Sequence, residues 1–213
     1  MSEDITHSTE RPHAIHGAAD SEHDPDRGGK SERILQAALE LFTERGFHGT
    51  AMPLVAERAG VAAGTIYRYF DSKEALVNAV FQKWKRDFDD AAFGAGFPTH
   101  EPLRLQFRRT WRSAMEWALR NPIAATFVQL HFHAPYLDDA SRTLVDRAFE
   151  RGAAFFRLGN EQQVTRALPA EALMFMLDGI FNAMVRANRS GMVKLDDALL
   201  DAVEEAAWAA IRS

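Results

Sequence analysis

Apolar side chains recur at three- and four-residue intervals through most of this chain, and no stretch alternates long enough to suggest a strand. The pattern predicts an all-α fold. The first helix is expected from about Ser31 to Arg45, with Ile34, Leu35, Ala38, Leu41 and Phe42 on one side and Gly46 as its stop. A short helix follows in which Leu54, Val55 and Ala59 form an apolar ridge, closed by Gly60 and a buried turn residue, Val61. The next, Ala62 to Phe70, sets Ile66 and Phe70 inward and leaves Thr65, Tyr67, Arg68 and Tyr69 for its outer faces. A long helix from Glu74 to about Asp90 carries Leu76, Val77, Val80, Phe81 and Trp84 on one side, and Gly94, Gly96, Pro98 and Pro102 then mark a loop over about 93–101. Beyond Pro102 five more helices are expected: Leu103 to the Asn121-Pro122 stop, Ile123 to about His133, Ser141 to Leu158, Ala170 to Asn188, and Leu195 to Arg212.

Two short helices crossing at a tight turn can present the second to the major groove of DNA while the first braces it. Ala62, Ala63 and Gly64 are small enough to approach base edges. Thr65 can bond a base or a phosphate, and the Tyr67 and Tyr69 hydroxyls can reach backbone oxygens, contacts that position without specifying sequence. Lys73 falls in the first turn of the following helix, capped by Asp71 or Ser72, where the macrodipole disfavours a cation and a bound phosphate would favour one.

The segment from Ile34 to about Val80 resembles the DNA-binding domain of the tetracycline-repressor-like (TetR) transcriptional regulators. The residues that carry the resemblance are Val55-Ala56, Ala59-Gly60-Val61, Thr65, Ile66-Tyr67, Tyr69-Phe70 and Lys73. It implies that Thr65, Tyr67, Tyr69 and Lys73 contact DNA, mainly its backbone, with Ala62, Ala63 and Gly64 near the bases. Ala51, Met52 and Pro53 depart from the family's pattern of a Ser or Thr cap followed by a polar residue. Thr50 is expected to take over that cap and is counted with the DNA-binding residues, whereas Pro53 cannot donate a hydrogen bond to a base. The resemblance further implies an all-helical regulatory half, on architecture alone.

Charge changes this picture modestly. Residues 30 to 86 hold nine Lys and Arg against six acids, so non-specific DNA affinity is expected to be weak and salt-sensitive. Residues 1 to 29 hold seven acids against Arg11 and Arg27, which accounts for the formal charge of −5 of the whole chain, and are expected to be a disordered acidic tail. Its four histidines (His7, His13, His16, His23) have no fixed metal-ligand spacing. The organisation expected is thus a tail over 1–29, a helix-turn-helix domain over 30–77 and a helical effector-binding and dimerisation domain over 78–213. The chain has no cysteine, which excludes disulfides and thiolate metal sites, and no apolar run of eighteen residues. A cytoplasmic protein is expected, with no cofactor and no metal.

In the C-terminal half, Phe107, Trp111, Met115, Phe127, Phe132, Phe155, Phe156, Met174 and Met176 exceed what a small helical core requires, and with the polar exceptions His131 and Asp178 they are expected to wall an effector pocket. His131 and His133, two apart, point to different helix faces and do not make a metal site. Asp178 is expected to pair with Arg108, Arg112 or Arg157. Gly179, Ala183 and Ala187, with Ala202, Ala206 and Ala210 in the last helix, form small-residue ridges that suit a homodimer interface.

Together these features predict a homodimeric, ligand-responsive regulator, a repressor released from a palindromic DNA operator by a small apolar or aromatic effector. The alternatives on the same fold are a helical enzyme, against which no catalytic constellation is legible, and a ligand-independent protein-interaction module. An enclosed C-terminal cavity discriminates the last of these.

Overall fold

The computed structural model describes residues 27–94, 96, 101–132 and 134–213. The expected tail therefore lies, up to residue 26, outside the described residues, as does His133. Among the described residues the architecture is all-α, with the helices α1 (Arg27–Arg45), α2 (Met52–Arg58), α3 (Ala63–Ile66), α4 (Lys73–Phe93), α5 (Leu103–Arg120), α6 (Pro122–His131), α7 (Asp139–Glu161), α8 (Ala170–Arg189) and α9 (Asp197–Ile211).

Local chemistry sets the helix ends. Ser72, Asp138 and Asp196 cap α4, α7 and α9 by accepting from the N–H groups of Ala75, Ser141 and Leu199. Proline begins the others downstream of α1 and α3: Pro53 and Pro122 lie in the first turns of α2 and α6, and Pro102 and Pro169 immediately precede α5 and α8. A first-turn N–H has no helical acceptor, so its absence in proline costs nothing there. Gly46 and Gly60 close α1 and α2 with φ of 69° and 67°, a conformation other residues adopt only under strain.

Three expectations need correction. α1 begins at Arg27 rather than Ser31, so residues 27–29 belong to the helix and not to a disordered tail; glycines 28 and 29 are tolerated because they fall in its first turn. The regular part of α3 is only four residues, and the chain continues to Phe70 in turns closed by the N–H groups of Arg68, Tyr69 and Phe70. Thr50 does not cap α2, whose N-cap Ala51 makes no side-chain bond. The Thr50 hydroxyl lies 2.9 Å from the Gly46 carbonyl and 3.1 Å from that of Leu41, so it closes the end of α1 instead.

The core is continuous between the two halves. Ile34, Leu41, Phe42, Val55, Ile66, Leu76, Val80 and Phe81 are buried under the two-helix unit, and the same cluster extends through Phe107, Met115, Phe127, Phe156 and Leu173 to Trp208 and Ile211. Helix α4 packs on α1, α5, α6 and α7, which makes it the common support of both halves.

Candidate nucleic-acid interface and apolar cavity

The surface expected to read DNA is built on a short scaffold. Val55 and Ala56 of α2, which packs on α1, and Ile66 of α3, which packs on α2, are buried, and Arg58 ties α2 to Glu40 at 3.2 Å. Val61 is half-buried in the turn, its N–H bonded to the Ala56 carbonyl. That leaves Ala62, Ala63 and Gly64 exposed, and a Cβ on Gly64 would meet nothing within 4 Å, so this end of α3 is open to a partner. Tyr67 is 51% exposed and Thr65 half-buried beside it. Tyr69 leans on the core and is only partly accessible.

Two residues behave differently from the sequence expectation. Thr50, 1% exposed with its hydroxyl turned to Gly46 and Leu41, holds the loop and offers no side chain to DNA. The Lys73 ammonium lies 3.0 Å from the Phe47 carbonyl, 3.1 Å from the Thr50 carbonyl and 4.4 Å above the Phe47 ring. Its position in a first helical turn therefore has an internal explanation, since it satisfies carbonyls left over where α1 ends. The third N–H of the ammonium is what remains for a phosphate. The cationic balance counted along residues 30–86 is also thinner in space: Lys83 pairs with Glu32, and Lys85 is buried in the other half.

In the C-terminal half, α4, α5, α6, α7 and α8 surround a largely apolar cavity of about 350 Å³. Seven of the eleven residues expected in its wall are there: Phe107, Trp111, Phe132, Phe155, Phe156, Met174 and Asp178. Met115 on α5 and Phe127 on α6 are instead fully buried core, Phe127 meeting Phe42 of α1. His131 is also outside the wall, and Met176 is an exposed residue of α8. The sequence reading missed Phe88 and Phe93 of α4, Phe149 of α7 and Phe181 of α8, which complete an aromatic lining. Their helical spacing resembles ordinary core, so only the packing of five helices distinguishes them.

The wall also holds a buried ion pair that the sequence reading did not anticipate. Lys85 and Asp89, one helical turn apart on α4, meet at 2.5 Å with side-chain exposures of 5% and 7%, and Arg151 approaches the other Asp89 oxygen at 3.9 Å. Burial pushes the Lys85 ammonium below its ordinary pKa and the Asp89 carboxyl above its own, in each case against the attraction of the other. Asp178 accepts from Asn182, while the arginines expected to pair with it are engaged elsewhere: Arg108 by Asp201, Arg112 by Glu116, Asp197 and Asp201, and Arg157 by Glu150. The Arg112 and Arg104 pairs with acids of α9 lock α5 to the last helix.

Between cavity and reading surface lies a densely bonded junction. Tyr136, in the loop after α6, stacks on Phe47 at 4.1 Å and shares a hydrogen bond with His131 Nδ1 through its hydroxyl. His131 packs on Phe127, which meets Phe42 of α1. Burial lowers the His131 pKa, only partly offset by its bond to the Phe42 backbone. Asn78 of α4 uses every donor and acceptor of its amide: it donates to the Glu74 and Tyr136 carbonyls and accepts from the Asp138 N–H and the Ser141 hydroxyl. Since α4 also carries Lys73 at one end and Lys85, Phe88 and Asp89 in the cavity wall, about 18 to 24 Å away along the helix axis, it physically connects the two sites.

An exposed two-helix unit on a buried α-helical support, joined to an all-helical second half, defines a helix-turn-helix DNA-binding transcriptional regulator. Comparison with known proteins makes this specific. Residues 34–80 match the family of bacterial regulatory proteins, tetR family, and residues 81–213 match the tetracyclin repressor-like C-terminal domain. The chain belongs to the TetR family. It is similar to the uncharacterised HTH-type transcriptional regulator YhgD of Bacillus subtilis (strain 168), 36% identical over 38% of this chain and 47% of that protein. It is also similar to an HTH-type transcriptional repressor of Rhodococcus jostii (strain RHA1), 40% identical over 32% of this chain and 33% of that one. The chain thus spans less than half the length of these curated relatives. A solved structure of a protein assigned to the TetR family from Vibrio parahaemolyticus matches 86% of this chain and 99% of its own, at 32% identity and a TM-score of 0.65.

No helix of the described residues is long and apolar enough to cross a membrane.

Proposed function

We propose that this regulator is a homodimeric repressor that leaves a palindromic operator when a small apolar or aromatic effector enters the C-terminal cavity. The observation that carries the reading is the cavity itself: about 350 Å³, partly open to solvent and lined mainly by aromatic and aliphatic side chains, with α4 in its wall. Ala62, Ala63 and Gly64 approach base edges, and Thr65, Tyr67, Tyr69 and the free N–H of Lys73 meet the phosphate backbone. Thr50 supports that surface from below.

The dimer forms through α8 and α9. Supporting this, Gly179, Ala202 and Ala206 are exposed, Ala183, Ala187 and Ala210 half-buried, and Phe175 and Met176 add exposed apolar area on α8. A reader with so few free cations gains specificity from two half-sites bound at once, roughly 34 to 36 Å or a multiple apart. Effector entry favours one arrangement of α4 against α6 and α7, and the reading surfaces move out of register with the DNA turn. The residue ranges 30–77 and 78–213 correspond to the reading and the effector-dimer halves. Repression is supported by the name of the Rhodococcus jostii relative, which is a repressor.

The test is direct. The protein should protect a two-fold site in the DNA upstream of its own gene, aromatic compounds should release it, and Ala114→Phe, which fills the cavity, should bind DNA but ignore them. Release that is unaffected by filling the cavity would overturn the reading.

A further inference from the structure

Trp111 stands in the cavity wall at 7% exposure, and among the described residues its indole nitrogen is the buried side-chain polar atom without a hydrogen-bond partner. Its ring is stacked on Phe107 at 5.6 Å and met edge-on by Phe181 at 6.1 Å, so its aromatic neighbours offer hydrocarbon and no acceptor. A buried donor left unmatched is costly, and a phenylalanine here would keep most of the packing without that cost. The wall's charged groups are already bonded: Lys85 to Asp89, and Asp178 by Asn182. The wall itself supplies no acceptor to Trp111.

Resting on the reading of this cavity as an effector site, we propose that the effector is an uncharged, largely aromatic or aliphatic molecule bearing a carbonyl-type oxygen that accepts from the Trp111 indole N–H. Ketone, ester, lactone and amide oxygens meet this requirement. A cationic ligand cannot, because its polar end donates rather than accepts. A carboxylate has acceptor oxygens, but the buried Lys85 ammonium of the wall is already bonded to Asp89, so a second anion would compete for a cation that is already paired.

The probes are methyl naphthyl ketone, isopropenylnaphthalene, in which a methylene replaces the oxygen at nearly constant shape, and naphthoate. In calorimetric titrations of the full chain the ketone should bind about tenfold more tightly than the hydrocarbon, and naphthoate more weakly than the ketone. Trp111→Phe should abolish the ketone's advantage while changing hydrocarbon binding little. In nitrogen-correlated NMR the Trp111 indole proton should move downfield with the ketone and not with the hydrocarbon. Should Trp111→Phe fail to fold, Phe replacements of Trp84, Trp117 and Trp208 identify the Trp111 resonance by elimination among the four tryptophans. Equal affinity for ketone and hydrocarbon, an indole resonance unmoved by the ketone, or an advantage that survives in Trp111→Phe overturns the assignment and leaves the cavity reading standing. Tighter binding of naphthoate overturns the uncharged class. Failure of every probe to saturate the protein removes the cavity reading and this inference with it.

Discussion

Replacing Asp89 by leucine should be among the most damaging single changes in the effector half, and replacing Lys85 at the same time should repair it. Both side chains are almost fully buried and bonded to each other, and burial shifts each toward its neutral form, which marks their desolvation as the larger effect. Asp89→Leu leaves the Lys85 ammonium without its counter-ion and with the Arg151 guanidinium nearby, a like charge. Stranding one member of a buried pair costs about 3 to 5 kcal/mol. For a chain of this size each kcal/mol moves the melting temperature by about 2 to 4 °C, so a fall of about 6 to 20 °C is expected. The double change Lys85→Met with Asp89→Leu removes both desolvation terms at similar volume, and should match the wild type or exceed it by about 1 to 4 kcal/mol. Denaturant unfolding of the four proteins of the cycle, at one fixed protomer concentration, measures this. A single change costing less than about 1 kcal/mol, or a double variant as unstable as the single, would refute the desolvation argument.

Lys73→Ala should lower stability by about 1 to 3 kcal/mol, because the Phe47 and Thr50 carbonyls lose a charged donor, and should reduce the salt slope of operator binding by about one; unchanged unfolding would contradict the bonding described. His131 is held below its ordinary pKa of 6.5, so the neutral imidazole belongs to the fold and the unfolded chain takes up the proton first. Its contribution is complete above that value and lost as the pH falls from it through the lowered folded pKa; His131→Gln should flatten stability across this window, and an unaltered pH profile would count against it. Ala183→Glu should introduce an unpaired charge at the α8 crossing and cost roughly several kcal/mol of association, read by light scattering as a monomer with operator affinity near the non-specific level; a dimer with normal operator binding would move the interface elsewhere.

The sequence by itself determined the helices and the reading unit. Their spacing, the proline and Ser or Asp starts and the glycine stops act within a few residues, so α2, the turn at Gly60 and Val61, and the exposed Ala62, Ala63 and Gly64 were all legible without a fold. Only the tertiary structure decided which side of a buried helix faces a void and which polar group finds a partner across the chain. Met115 and Phe127 carry the same kind of side chain as Phe107 and Trp111, yet the former lie in the solid core and the latter in the cavity wall, because periodicity separates buried from exposed and cannot separate packed from empty. Thr50 looked like the cap of α2, and a phosphate looked like the whole reason for Lys73, until folding brought the loop after α1 within hydrogen-bond reach of both. Nothing along the chain marked Lys85 and Asp89; the cavity wall in which they are buried is completed by α5, α7 and α8, brought together only by folding.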